Sequence, residues 1–204
     1  MKRLGTLFIT ALIAAGGASA AGAYEKFSLD KDHTYVGFNV SYLVLAHVSG
    51  QFDDFKGSFV IDRDHPENSR ANIVIQTASI DTGVKARDAD IRGPGLFNAE
   101  QFPTMTFHSN KIEMGTDNTG RMTGDLTLLG ITKPVTLDLV KMPGENKSLT
   151  NGYKVTGQIK RSDFGMNAFI RPIGNIVTLL VCYNMEGCDS PEAQRGEGKT
   201  LYNQ

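Results

Sequence analysis

The side chains able to do chemistry are few and scattered in this chain. Its four histidines, His33, His47, His65 and His108, form no H-E-x-x-H, no H-x-H and no cluster with cysteine, so the pattern predicts no metal site. G-x-S-x-G and a Walker loop are absent, and no pair of carboxylates sits in an apolar stretch that would separate their pKa values. No catalytic residue and no cofactor is assigned on this basis. Lys85, Arg87 and Arg92 gather with Asp88 and Asp90 in one short segment. They form either a solvated helix face or a site where Arg92 meets a phosphate or quinone oxygen. His47, in the stretch Ala46 to Gly50 read as a loop, is the second head-group candidate. Cys182 and Cys188 stand six residues apart. Along a continuous strand that is about 20 Å, beyond the roughly 7 Å between Cα atoms that a disulfide allows. A bonded staple therefore needs a reversal at Asn184 to Gly187, and free thiols are the alternative.

These residues must be held by strands, because alternation dominates the chain. Val36, Phe38, Val40 and Tyr42 share one face, with Gly37, Asn39 and Ser41 on the other. The same period of two recurs through Phe59 and Ile61, Ile73 and Ile75, Met105 and Phe107, Leu126 and Leu128, Leu137 and Leu139, Val155 and Ile159, and Val177 to Val181. Eight strands are predicted, at about 35–42, 51–62, 71–78, 104–114, 121–129, 134–141, 152–161 and 175–185. A short extended piece at Phe27 to Leu29 leads in, and Pro134 is read as a strand start. Connections this short favour antiparallel neighbours, and eight such strands close into a lipocalin-like barrel, with a two-sheet sandwich as the alternative. The fold class is therefore all-β with one interruption, Asp81 to Pro103. There Asp81 or Thr82 caps a short helix, and Leu96, Phe97 and Phe102 add apolar weight at one barrel end, as a plug or as the rim of a cavity.

The chain has 204 residues, 40% of them hydrophobic and 21% charged, a globular balance with formal net charge -1 and no basic stripe, so nucleic acid is not an expected partner. Lys2 and Arg3 precede an apolar run from Leu4 to Ala15, followed by Ala18-Ser19-Ala20 and Ala21-Gly22-Ala23. This predicts a signal peptide over 1–23, cleaved after Ala20 or Ala23, and export to the periplasm or beyond. No run reaches the ~20 apolar residues of a membrane span. The barrel then occupies 24–187, and 188–204 is a polar tail.

An eight-stranded barrel is filled by side chains or holds one small ligand. Gly57, Gly124 and Gly157 fall in phase with the apolar faces. They leave room for a ligand or mark bends in the wall, and both readings stand. The inward sets carry no charge, so a cavity here recognises hydrocarbon. At ~0.8 kcal/mol per CH₂, a five-carbon isoprenyl unit contributes about 3–4 kcal/mol gross.

Several strings together resemble the YceI family of bacterial periplasmic lipid-binding proteins. They are Asp32-His33-Thr34 before Val36-Gly37-Phe38, Gly50-Gln51-Phe52 before Phe55-Lys56-Gly57, and Ser79-Ile80-Asp81-Thr82. Further along come Arg87-Asp88 with Ile91-Arg92, Phe102 to Phe107, Gly124 to Val135, and Arg161-Ser162-Asp163-Phe164-Gly165. The resemblance covers about 25–185. It implies an apolar channel holding an isoprenoid lipid, such as a polyprenyl phosphate or a quinone tail, and no established reaction. It also allows a homodimer, although the alternation specifies no subunit interface. Carried over by position, Phe38, Val40, Phe59, Ile61, Ile73 and Ile75 line that channel, with Phe107, Leu126, Leu128, Leu137 and Val155. Tyr42 from the first alternating set and Phe97 from the insert complete the candidates. This chain has Tyr42-Leu43 and Asp90-Ile91-Arg92 where the family often has His-Leu and His-Leu-Arg, which leaves head-group preference open. The rival readings are a fatty acid or fatty amide as cargo, a solid barrel acting through its loops, and a lipid hydrolase or isomerase.

Overall fold

The computed structural model describes residues 24–43, 46–142, 151–169 and 171–184. The expected signal peptide 1–23, the turn at 143–146, Cys188 and the tail 188–204 lie outside the described residues. The alternating segments become strands β1 (Tyr24–Leu29), β2 (Thr34–Tyr42), β3 (Ala46–Phe52), β4 (Phe55–Asp62), β5 (Arg70–Gln76) and β6 (Ile80–Asp81). They continue with β7 (Thr104–Met114), β8 (Thr119–Leu128), β9 (Ile131–Met142), β10 (Gly152–Lys160) and β11 (Ile173–Tyr183). One α-helix, α1 (Lys85–Arg92), lies between β6 and β7, and no helix among the described residues is long and apolar enough to cross a membrane.

The fold is the expected all-β, antiparallel, lipocalin-like one with a helical insert at one end. The described residues form eleven strands rather than eight. The piece at Phe27 to Leu29 is part of a full strand, β1, laddered on β4. The segment expected at 51–62 breaks at Asp53 and Asp54, and its first residues belong to β3, in the stretch read as a loop. There Gly50 takes the inward place that an apolar side chain would mark, so only Val48 and Phe52 carry the period. Ile80–Asp81 adds a two-residue strand on β3. Pro134 is not a strand start; it is the fourth residue of β9, opposite Asp125 of β8. It is tolerated because β10 pairs with β9 only from Asp138 onward, so the missing N–H faces no ladder.

All strands form one sheet in the order β1-β4-β5-β7-β8-β9-β10-β11-β2-β3-β6. It curls strongly. Glu25 on β1 bonds to Lys141 on β9 and Tyr153 on β10, strands that lie far along the ladder order. Asp53 and Asp54 alone join β3 to β4, which the ladder order holds far apart. The wall is thus drawn together by side-chain packing and by that short connection; among the described residues no ladder links the two edges of the sheet.

The three in-phase glycines mark close approaches rather than empty space. A Cβ at Gly124 would strike the His108 carbonyl oxygen and the Phe107 ring, one at Gly57 the Asn72 carbonyl oxygen, and one at Gly157 the Leu137 side chain. None of the three borders the internal cavity. Gly124→Ala is therefore expected to destabilise the fold by about 1–3 kcal/mol, because a ladder carbonyl cannot yield without moving its strand. A urea titration checks this.

Candidate functional site

The inward faces of the curled sheet enclose a cavity of about 670 Å³, within the usual range for small-molecule sites. Phe38, Val40 and Tyr42 of β2, Phe59 of β4, and Ile73 and Ile75 of β5 line it. Phe107 of β7, Leu126 and Leu128 of β8, Leu137 of β9, Val155 of β10 and Phe97 of the insert complete that set. Ile61 does not reach it: paired opposite Glu25, it is fully buried in the packed end of the molecule. Met105, Met122, Val177, Leu179 and Val181 also line the cavity, and the same alternation marks them. Met166, Phe169 and Pro172 come from the connection between β10 and β11, where no period exists to reveal them, and Ile173 is the first residue of β11. A barrel filled wall to wall, the solid-barrel reading, does not describe this interior.

One end of the cavity is closed by aromatic rings. Phe27 lies 5.9 Å from Phe59, 5.3 Å from Tyr153 and 4.8 Å from Tyr183, centroid to centroid, and Phe59 meets Tyr153 nearly edge-on at 5.2 Å. Behind them the Tyr153 hydroxyl donates to Glu25 Oε2 at 3.0 Å, and the Lys141 ammonium donates to Glu25 Oε1. Burial by itself would raise the Glu25 carboxyl. The hydrogen bonds from Lys141, Tyr153 and Asn151, with the Lys141 charge, hold it below the usual carboxylate value. Burial first, and then the Glu25 charge, push the Tyr153 hydroxyl well above an ordinary phenol. The rings seal this end, and the Glu25–Lys141 ion pair lies behind them.

The opposite end is open. Tyr42 and Phe169 line the cavity and remain 39% and 57% exposed. Phe97 packs edge-on against Phe52 at 5.7 Å, and Phe52 lies 5.9 Å from Phe38, making one side of the mouth. Helix α1 crosses there and presents Arg87, Asp90 and Ile91 to the cavity. It starts at Lys85 with Val84 as its N-cap, so neither Asp81 nor Thr82 caps it as expected. Instead the buried Asp88 carboxylate accepts from the Thr82 N–H at 2.9 Å and the Thr82 hydroxyl at 2.6 Å. Arg87 Nε donates to the Thr82 hydroxyl oxygen at 2.7 Å.

Neither head-group candidate reaches the cavity. Arg92 donates from Nε to the Ala78 carbonyl and from Nη2 to the Ile80 carbonyl, both at 2.7 Å, and so ties the end of α1 to β6. His47 lies on β3, not in a loop, and shares a 3.1 Å hydrogen bond with Asn39 on the outer face, while its neighbour Val48 points inward. Among the described residues, Arg87 and Asp90 are the charged groups that line the mouth. With Ile91 they follow the i, i+3, i+4 spacing of one helix face, a signal the sequence does carry; Arg92, five residues after Arg87, falls off that face.

Arg161 lines the cavity wall but is consumed by the fold. Its guanidinium donates to the carbonyls of Gly174, Met166, Ala168 and Ile173 at 2.7 to 3.1 Å. It clamps the β10–β11 connection, and burial lowers its pKa. On β11, Val181 faces the cavity, whereas Cys182 is buried on the outer face against Leu180 and Tyr35.

Known proteins resemble this chain in sequence and fold. The YceI-like domain model matches residues 27–183. A UPF0312 protein of Yersinia pestis is 34% identical over 184 residues, which is 88% of this chain and 94% of the relative. The crystal structure of a Campylobacter jejuni YceI protein shares 30% identity at a TM-score of 0.59, covering 76% of this chain and 93% of that one. A polyisoprenoid binding domain from Saccharophagus degradans has the same fold at 20% identity, with a TM-score of 0.57 over 80% of this chain and 99% of its own. With its curled antiparallel sheet, its helical insert and these matches, the chain belongs to the YceI-like family.

Proposed function

We propose that this protein is an exported carrier that sequesters a long-chain isoprenoid lipid, of polyprenyl phosphate or quinone type, without acting on it chemically. The observation that carries the reading is the blind apolar cavity: aromatic rings seal one end, and charge enters the lining at the mouth, on Arg87 and Asp90, besides the clamped Arg161. A hydrocarbon chain enters tail first, each isoprenyl unit contributing about 3–4 kcal/mol gross, and the head group stays beside α1. The polyisoprenoid binding domain from Saccharophagus degradans, which has this fold, supports the choice of cargo. Export to the periplasm belongs to the same proposal, supported by the leader pattern of residues 1–23. So does a Cys182–Cys188 disulfide, supported by the left-handed backbone of Asn184 (φ 50°), which turns the chain two residues after Cys182.

Mass spectrometry of the freshly purified periplasmic protein tests all three parts. The expected native mass exceeds that of the chain by one lipid, released on denaturation. The expected chain begins at Ala21 or Tyr24 and is two hydrogens lighter than its dithiol. Protein recovered repeatedly without lipid, and taking up neither added polyprenyl phosphate nor quinone, would overturn the carrier reading. A straight-chain fatty acid or amide in the extract would replace the cargo.

A further inference from the structure

Eight large apolar side chains stand exposed among the described residues, and they are not evenly spread. Tyr24 and Met142 lie at the sealed end. Tyr42, Leu43, Val84, Ile131, Phe169 and Ile176 lie at the end that carries the mouth. Scattered exposure of this kind needs no explanation, but a concentration around an opening does.

The centre of the patch is continuous with the cavity. Tyr42 and Phe169 belong to the cavity lining and to the outer surface at once. Leu43 follows Tyr42, is 63% exposed, and donates its N–H to the Pro172 carbonyl at 2.8 Å, which joins the two loops into one rim. Leu43 and Phe169 both have left-handed backbones, φ 55° and 56°. That conformation is uncommon for bulky residues. Two adjacent loops thus adopt an unfavourable backbone and hold apolar side chains in water, the reverse of what folding alone favours. Exposed Arg171 adjoins Pro172 of the lining, and exposed Lys85 opens the helix whose Arg87 and exposed Asp90 line the mouth.

We propose that this rim docks on an anionic lipid bilayer, with Leu43 and Phe169 set among the head groups and Arg171 and Lys85 against lipid phosphates. Docked so, the mouth opens directly onto the bilayer, and a lipid chain passes between membrane and cavity against apolar atoms throughout. A second copy of the chain on the same surface would seal two mouths against each other, whereas a bilayer leaves the route open. The inference rests on the carrier reading for its purpose, but its test does not.

The test is flotation of the purified protein with vesicles of phosphatidylcholine and phosphatidylglycerol in equal amounts, comparing wild type with Leu43→Asp/Arg171→Glu. Neither residue lines the cavity, and aspartate tolerates the left-handed backbone at position 43. The expected result is that wild type floats and the variant binds vesicles about tenfold or more weakly, while its thermal midpoint stays at the wild-type level. Wild type that fails to float, or a variant that floats equally well, overturns the docking proposal. So does a wild-type dimer that the variant dissolves and that vesicles do not compete for. Wild-type protein that floats but never contains lipid would uphold docking and reject the carrier reading instead.

Discussion

With Arg161 replaced by methionine, the thermal midpoint is expected to fall by roughly 10 °C or more, the largest stability effect of any single substitution considered for this protein. Arg161 is 3% exposed and donates to four carbonyls, those of Met166 and Ala168 in the β10–β11 connection and of Ile173 and Gly174 at the start of β11. Methionine fills similar space but donates nothing. The four acceptors then lose charge-assisted bonds in a place water reaches poorly, at a total cost of about 3–5 kcal/mol. Lysine is expected to restore little of it, because an ammonium on a flexible stem cannot replace a planar fork aimed at carbonyls in several directions. The effect extends to the site. The clamped connection carries Met166, Phe169 and Pro172 of the cavity lining and leads into Ile173, so on the proposed carrier function folded Arg161→Met protein is also expected to release lipid faster. Circular dichroism melts and the rate of lipid transfer to excess vesicles check the two halves. An unchanged melt would mean that the bonds within the connection hold it unaided, such as Ile173 N–H to the Phe169 carbonyl at 3.0 Å.

The second large effect is on binding with the fold preserved. Val155→Trp is expected to weaken lipid affinity by two to three orders of magnitude. Val155 projects from β10 into the cavity, opposite Leu139 of β9 and Val181 of β11 in the ladders, and is only partly buried because the space before it is open. An indole there occupies room that about one isoprenyl unit would fill. Excluding that unit forfeits about 3–4 kcal/mol of burial, and each 1.4 kcal/mol is a factor of ten. The ring enters existing space, so the melt is expected to shift little or upward. Lipid per protein in native mass spectra and competition against a fluorescent polyprenyl probe measure it. Undiminished binding would mean that the chain follows a path away from β10. Gly124→Ala makes the opposite pattern, lower stability with binding intact, since that glycine serves the wall and not the cavity.

Much of the wall could be read from alternation. Where a segment keeps one face buried along its length, the period of two appears in the residues themselves, so β2, β5, β7, β8 and β11 were legible along with the side chains they turn inward. The same rule failed where the inward place is taken by glycine, as at Gly50 in β3, and it placed Ile61 in the cavity because period fixes a face and not a depth. Phe59 and Ile61 share a face of β4, yet the first borders open space and the second packs into the closed end.

By itself, then, the amino-acid order determined the class of fold, the apolar character of the interior and the family, because these follow from local periodicity and from strings of adjacent residues. The tertiary structure alone decided where the cavity stops, which end opens and which charges stand at the mouth. Those depend on contacts between residues far apart in the chain. Glu25 seals one end through Lys141 and Tyr153. Arg92 is drawn away from the mouth by the carbonyls of Ala78 and Ile80, leaving Arg87 and Asp90 there. A side chain's partners are set by how the sheet curls, and curl is a property of the whole wall that no single segment encodes.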